Sequence, residues 1–325
     1  DGGRRMSSSE PTFGTTPALE PEFPHVLSSS IREAFSLCPH KFMYEQILGW
    51  IPKEENEHLK FGSAYAAGLE KYRRSYYGGE YKSLSLADRL SNSLADGVYA
   101  AIVDYGDFEP PEGSAKNYER LIGALVEYTL QYPPATDSCQ PSMFQGQPRV
   151  EFSFTIEIPE VLHPVTGDPL LFSGRCDMLS EYNKGLFIFD DKTTGSLGPS
   201  WANQWRLRSQ FTAYTVGAQE HGFAVVGAII RGIAILKTKY NLAEVIVHRP
   251  AHIVAAWKER LVHDANRMIE MWHSGYWPQY GQENGGCGQY SGCPYQVLCE
   301  SIQPTGYLNV YFQHARWDPI IREIR

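Results

Sequence analysis

The chain has 325 residues, of which 42% are hydrophobic and 20% charged, with six cysteines and a formal net charge of −8. That length leaves one large domain or two open, and the apolar fraction supports a sizeable core and excludes global disorder. No apolar run approaches the roughly 20 residues needed to span a bilayer, no signal-like apolar segment is visible, and the negative charge argues against a broadly basic grip on nucleic acid. The expectation is an intracellular, cytoplasmic protein with no membrane attachment.

In chain order, residues 1–27 are rich in Ser, Pro, Gly and Thr and are expected to form a flexible lead-in, with Met6 a candidate natural start. Ser28, Ser29 and Ser30 are N-cap candidates, and Ile31, Ala34, Phe35 and Leu37 follow at helical spacing. Further helices are expected over residues 61–72, 84–104 and 115–131. Four prolines in residues 133–148 then break the pattern. Residues 28–148 thus read as a helical region carrying Cys38.

After Pro148 the period changes. Val150-Glu151-Phe152-Ser153-Phe154-Thr155-Ile156 alternates as a strand does. Residues 170–180 and 186–190 read as two more strands joined by a turn at Asn183-Lys184-Gly185. A helix over 203–220, an apolar strand over 224–236 and an amphipathic helix over 251–274 complete a core at 149–280. Residues 281–325 hold a cysteine cluster and a tail. Residues 28–300 are expected to form one integrated domain, an α/β fold in the order α-β-β-β-α-β: a mixed central sheet flanked by helices, with a helical N-terminal insertion.

The segment FSGRCDMLSEYNKGLFIFDDKTTG, residues 172–195, carries the strongest chemical signal. Asp177 is expected near the end of one strand and Asp190 at the end of the next, across a short hairpin. Lys192 lies two residues after Asp190, so both side chains share a face of an extended chain. Charges following an apolar strand cost several kcal/mol unless paired or metal-bound. Mg²⁺ or Mn²⁺ prefers such carboxylate oxygens, and it can stabilise charge on a phosphate and lower the pKa of a bound water. Lys192 can then act on that water or on the developing negative charge. A plain surface hairpin bearing Asp and Lys is the alternative.

These residues resemble the PD-(D/E)XK nuclease superfamily, and within it the RecB-like nucleases. Gly174-Arg175-Cys176-Asp177 matches a G-x-x-D element, Asp190-Asp191-Lys192 a (D/E)-x-K element, and Gln210-Phe211-Thr212-Ala213-Tyr214 a Q-x-x-x-Y element. The resemblance implies a restriction-endonuclease-like core. It also implies that Asp177 and Asp190 bind Mg²⁺ or Mn²⁺, that Asp191 adds its backbone carbonyl, that Lys192 acts on the nucleophile, and that Gln210 and Tyr214 steady the site. A packed helix with Tyr214 simply in the core is the alternative for the last pair. Glu151 on the first strand is a weaker candidate. The family's early helix carries G-x-x-x-H. Here Gly62-Ser63-Ala64-Tyr65-Ala66 places Ala66 at the His position, and Glu70, one turn on, is the candidate replacement ligand or an ordinary solvated residue.

Cys287, Cys293 and Cys299 cluster in CGQYSGCPYQVLC, with Cys38 far upstream. Too few cysteines are present for a disulfide scaffold, and the clustering reads as metal ligation. The quartet resembles the iron–sulfur staple of AddB-like and CRISPR-associated RecB-like nucleases, which implies a [4Fe-4S] cluster. Zinc on the same thiolates is the competitor. The five-residue spacing from Cys293 to Cys299 fits that resemblance, whereas that from Cys287 to Cys293 is longer than the usual two.

Trp201, Trp205, Arg206 and Arg208 suit stacking and phosphate contact with a single strand. Lys237 and Lys239 are placed to reach a phosphate backbone, and Lys71, Arg73 and Arg74 form a small basic run. Solvated surface is the alternative for each. No serine-hydrolase, Walker or dinucleotide-binding signature appears. The expectation is a metal-dependent deoxyribonuclease, an exonuclease preferring single-stranded DNA ends. Two further readings stay open: a non-catalytic DNA-binding module, motivated by Ala66, and a nuclease working with recombination, replication or CRISPR-adaptation proteins.

Overall fold

The computed structural model describes residues 20–288 and 292–320. A short strand β1 (Val26–Leu27) leads into helix α1 (Ser29–Leu37). Ser28 caps α1, its hydroxyl accepting from the Ile31 amide at 3.3 Å. Helix α2 (Pro39–Phe42), a π-helical turn at Met43–Ile47 and strand β2 (Trp50–Pro52) follow. Three long helices come next: α3 (Glu57–Tyr77), α4 (Leu86–Tyr105) and α5 (Tyr118–Gln131). Asn56, Ser85 and Asn117 cap them, each side chain accepting from a first-turn amide.

Beyond the proline-rich break lie three short strands, β3 (Gln140–Pro141), β4 (Met143–Phe144) and β5 (Gln147–Pro148). Three long ones follow: β6 (Val150–Leu162), β7 (Pro169–Tyr182) and β8 (Gly185–Thr194). Asn183 and Lys184 turn β7 into β8 with φ of 46° and 64°, the left-handed pair that suits a two-residue hairpin. Helices α6 (Pro199–Gln204) and α7 (Ser209–Glu220), strands β9 (Val225–Ile235) and β10 (Tyr240–His248), and helix α8 (Ala251–Ser274) complete the core. The C-terminal part holds α9 (Gln296–Glu300), α10 (Thr305–Tyr311) and β11 (Phe312–His314), which pairs antiparallel with β2.

The central sheet is mixed. Its spine runs β1-β7-β8-β9-β10, with β3 and β6 also paired to β7. The β7–β8 hairpin is antiparallel and β8–β9 parallel, the latter through the crossover that carries α6 and α7. One face packs on α1, α7 and α8 through Phe172, Ile188, Ile230, Phe211 and Trp257. The helical insertion α3–α5 forms a second apolar cluster that also takes in Ile233 and Ile235 of β9, so it is continuous with the sheet. Among the described residues no helix is long and apolar enough to cross a membrane.

Four features depart from the sequence expectation. Residues 20–27 join the fold, since Phe23 and Leu27 are fully buried and β1 pairs with β7; the rest of the expected lead-in, residues 1–19, lies outside the described residues. Asp177 and Asp190 sit within β7 and β8 rather than near their ends, because β7 runs on to Tyr182 beside β8 and β8 runs on to Thr194 beside β9. The single helix expected over 203–220 is two. Arg249, 3% exposed, donates to the carbonyls of Trp205, Arg206 and Arg208 and to the Thr212 hydroxyl, capturing carbonyls that a continuous helix would use. Strand β10 was not expected; its residues are mostly half-buried, so it lacks the apolar run that marks β9.

Phe154 of β6 is wedged between two glycines. A Cβ on Gly217 of α7 would stand 2.2 Å from its ring, and one on Gly174 of β7 would stand 2.5 Å from it and 3.1 Å from Tyr214. Gly217→Ala is expected to destabilise the protein by about 1–3 kcal/mol, the range for overpacking a filled core. Urea unfolding measures this, and an unchanged midpoint would contradict the packing described.

Candidate active site

The site forms where two strands part. The β7–β8 ladder runs from Tyr182 and Gly185 to Met178 and Phe189 and stops there. One step further, Asp177 and Asp190 stand opposite each other. Instead of another ladder bond, Asp177 turns its carboxylate to the neighbouring strand, where Oδ2 accepts from the Asp191 amide at 2.7 Å. Beyond this fork β7 follows β6, while β8 continues along β9 with Asp190 beside Ile230 and Lys192 beside Gly232.

Strand alternation separates the three consecutive charges. Asp190 and Lys192 face α7, and their side chains form an ion pair. The Asp190 side chain is 3% exposed and that of Lys192 is 31% exposed, so the ammonium reaches toward solvent from a buried carboxylate. Burial, opposed by Lys192 and reinforced by Asp177, pushes the Asp190 carboxyl up to about 8. Burial tends to lower the Lys192 ammonium, but Asp190 and Asp177 outweigh it and hold its pKa above the ordinary lysine value.

Asp191 faces the other way. Its carboxylate is paired with Arg73 of α3 at 2.5 Å, both side chains buried. Burial raises the Asp191 carboxyl to about 6 against the opposing pull of Arg73. The Asp191 carboxylate is thus turned away from Asp190 and Lys192 and held by Arg73.

Helix α7 closes the front. Gln210 donates to the Tyr214 hydroxyl at 2.9 Å, the contact that four-residue helical spacing permits. Burial and the nearby Asp190 raise the Tyr214 phenol, so it stays protonated and able to donate. Tyr214 lies directly on Gly174, which explains the glycine of the Gly174-Arg175-Cys176-Asp177 element as a close-approach position.

Helix α3 packs behind β8, on the face to which Asp191 and Thr193 point. The Cβ position of Gly62 lies 3.6 Å from Thr193 Oγ1. Ala66 lies half-buried on the next turn of the helix. Glu70 pairs with Arg74 along α3 at 2.8 Å, and Arg74 also donates to the Val150 carbonyl. Glu70 is thus engaged with Arg74 along the helix. Glu151, at φ of 58°, pairs with Arg175 at 2.5 Å.

The expected DNA-contact residues divide. Trp205 is 6% exposed and packs edge-on against Trp201 and Phe211, so its ring belongs to the core and cannot stack on a base. Trp201 fills the space over Gly232. Arg206 and Lys237 are exposed, and Arg208 pairs with Glu33 at 2.8 Å. Of the basic run beside Glu70, Arg73 is not surface at all. It is 3% exposed, and its signal in sequence is only that it follows the aromatic Tyr72 on a helix with one apolar face.

Of the four cysteines, Cys38 follows α1, and Cys287, Cys293 and Cys299 lie in the C-terminal part. Cys38 is buried, Cys287 and Cys293 half-buried and Cys299 exposed, and none is in a disulfide. Cys38 and Cys287 both face the missing side chain of Gly281, whose Cβ position lies 2.7 Å from the Cys287 sulfur and 3.6 Å from that of Cys38. Although the Cys299 residue is exposed overall, partial desolvation of its sulfur raises the thiol to about 11, and the proximity of Cys38, Cys293 and Cys287 pushes it the same way. Among the described residues, however, no three His, Cys, Asp or Glu side chains are gathered at spacings that would hold a metal ion as they stand. For the acidic site this follows from its make-up: two carboxylates converge, and Mg²⁺ commonly takes one or two with water completing its shell. Its all-oxygen donor set fits a hard divalent cation. The thiol set fits a soft metal or an iron–sulfur cluster in donor type, though not in spacing.

The fold and this site define a mixed α/β protein with an acidic, lysine-bearing centre at a strand fork. Residues 26–300 match the model of the PD-(D/E)XK nuclease superfamily, and the chain belongs to that superfamily. Its core is accordingly of the restriction-endonuclease-like kind. Among solved structures, a "putative exonuclease" from Eubacterium rectale is similar at 14% identity, with 78% of this chain and 84% of that one covered and a TM-score of 0.43. The protein SSO0001 is similar at 16% identity, with coverage of 73% and 84% and a TM-score of 0.32. No curated protein matches.

Proposed function

We propose that the protein is a metal-dependent deoxyribonuclease that hydrolyses phosphodiester bonds, acting as an exonuclease on single-stranded DNA ends. The observation that carries the reading is the juxtaposition of Asp177, Asp190 and Lys192 at the strand fork, in a chain of the nuclease superfamily. Asp177 and Asp190, with the Asp191 carbonyl, would hold Mg²⁺ or Mn²⁺. Such an ion supplies charge neutralisation at the scissile phosphate and lowers the pKa of a bound water.

The protein's own groups do the rest. Lys192, half-exposed beside Asp190, is positioned to donate to the attacking water or to a phosphate oxygen as negative charge builds. Tyr214, held protonated and oriented by Gln210, can donate to the backbone of the substrate. The end preference rests on family analogy alone. Arg206 and Lys237 are the exposed cations offered to phosphates. Labelled single- and double-stranded DNA with blocked 5′ or 3′ ends tests the mode. Shortening only from free single-stranded ends supports it, and cleavage of circular strands or of strands blocked at both ends excludes it.

The reading includes a [4Fe-4S] cluster on Cys38, Cys287, Cys293 and Cys299, which rests on the family resemblance and on the approach of Cys38 to Cys287 across Gly281. Their link would tie both ends of the core across a long loop. Anaerobically purified protein is expected to be brown with broad visible absorbance and to lose both when Cys299 is replaced by serine. A colourless protein carrying stoichiometric zinc would contradict the cluster.

A further inference from the structure

We infer that Arg73 is a positioning residue for the acidic site, acting through Asp191 from the rear face of β8; the inference rests on reading that site as one that binds a divalent cation. Asp191 is the hub. Its amide donates to Asp177 Oδ2 at 2.7 Å, and its carboxylate accepts from Arg73 at 2.5 Å on the opposite face of the strand. It also lies between Asp190 and Lys192 in sequence. Anchoring its side chain therefore fixes the roll of the strand that aims both front-face groups, since successive side chains on a strand are held on opposite faces.

The anchor is itself clamped. Arg73 donates to the Tyr128 hydroxyl at 2.7 Å and lies 5.0 Å over the Phe189 ring. Arg231, level with Asp191 on β9, lies 5.0 Å from the same ring and donates to the same hydroxyl at 3.1 Å. Asp137 holds Arg231 in turn with two bonds of 2.6 and 2.5 Å. Two guanidinium groups, one phenol and one ring thus brace the residue behind the catalytic strand, and they come from the helical insertion as well as from the sheet.

Stability alone does not call for this arrangement. Packed apolar side chains of similar volume often replace buried ion pairs with no loss. What apolar packing cannot do is hold one carboxylate at a fixed roll angle through a directional, charge-assisted bond. Partners of this outer kind orient the groups that bind a metal, and their loss typically weakens metal binding roughly 10–100-fold.

The test separates positioning from packing. Arg73→Met leaves a lone buried carboxylate and is expected to unfold easily. The charge-balanced Arg73→Met/Asp191→Asn protein keeps the Asp191 carbonyl and amide and removes both charges, so it is expected to melt near the wild type. Mn²⁺ titration by calorimetry is then expected to show binding weakened roughly 10–100-fold in the double variant, with partial recovery in Arg73→Lys. A folded double variant with wild-type Mn²⁺ affinity overturns the inference and leaves the site reading intact. Absence of Mn²⁺ binding in the wild-type protein overturns both.

Discussion

Replacing Lys192 by alanine is expected to lower metal-dependent DNA cleavage by roughly 10²–10⁴-fold, the range for losing a general acid–base or charge-stabilising group. The fold should survive. The Lys192 side chain is 31% exposed, and its nearest partner is one carboxylate. Removing it leaves Asp190 beside Asp177 without the cation that moderates their repulsion, so the metal-free variant should hold a proton there more tightly. Metal affinity should hold within a few fold, because the ion itself supplies the missing positive charge. The distinguishing result is binding of Mn²⁺ and DNA with cleavage lost. Cleavage at wild-type rates would remove Lys192 from the mechanism.

Asp190→Asn should abolish cleavage and metal-induced stabilisation while making the metal-free protein more stable at alkaline pH. Asp190 is buried, and its carboxyl titrates near 8 rather than near 4 as in an unfolded chain. The folded, metal-free protein holds this proton more tightly than the unfolded chain does. The stability linked to it is therefore complete below about pH 4 and is lost as pH rises towards 8. Asparagine removes that loss. A cation opposes it in the wild type, adding about 2.7 kcal/mol at one hundred times its Kd. Thermal unfolding at pH 6 and 9, with Mn²⁺ or chelator, reads both effects. An Asp190→Asn protein that Mn²⁺ still stabilises fully would place the cation elsewhere. Such a conflict between stability and function is usual where charges are buried for chemistry.

Much of this was legible in the sequence because the chemistry sits on regular elements. The turn expected at Asn183-Lys184-Gly185 marked the hairpin, but its two-residue form, which sets Asp177 opposite Asp190, is seen only in the structure, where Gly185 already pairs with Tyr182. The spacing of Gln210 and Tyr214 gave their contact. What could not be read were properties of three-dimensional packing. Trp205 looked like a stacking residue, but Phe211 and Trp201 enclose it. Arg73 looked like one of three surface cations, since helical position alone does not reveal that Asp191 and Tyr128 wait beneath it. Arg231 offered a clue that was missed: a charge inside the apolar run of β9 needs a buried counter-charge, and Asp137 and Glu244 supply it. The break between α6 and α7 depends on Arg249, more than forty residues along the chain from Trp205 and Arg206. The partnership of Glu70 with Arg74 is local and could have been read from its spacing alone.

The Asp177–Asp190–Lys192 fork is proposed as a cation-dependent hydrolytic site despite Ala66 at the usual histidine position. Incubating the purified wild-type protein with end-labelled single-stranded DNA, in Mg²⁺, Mn²⁺ or chelator, tests it most directly. Metal-dependent shortening of the strand, stopped by chelator, is the expected result. DNA binding without cleavage, in either metal, would contradict it and identify a binding module that keeps the nuclease fold.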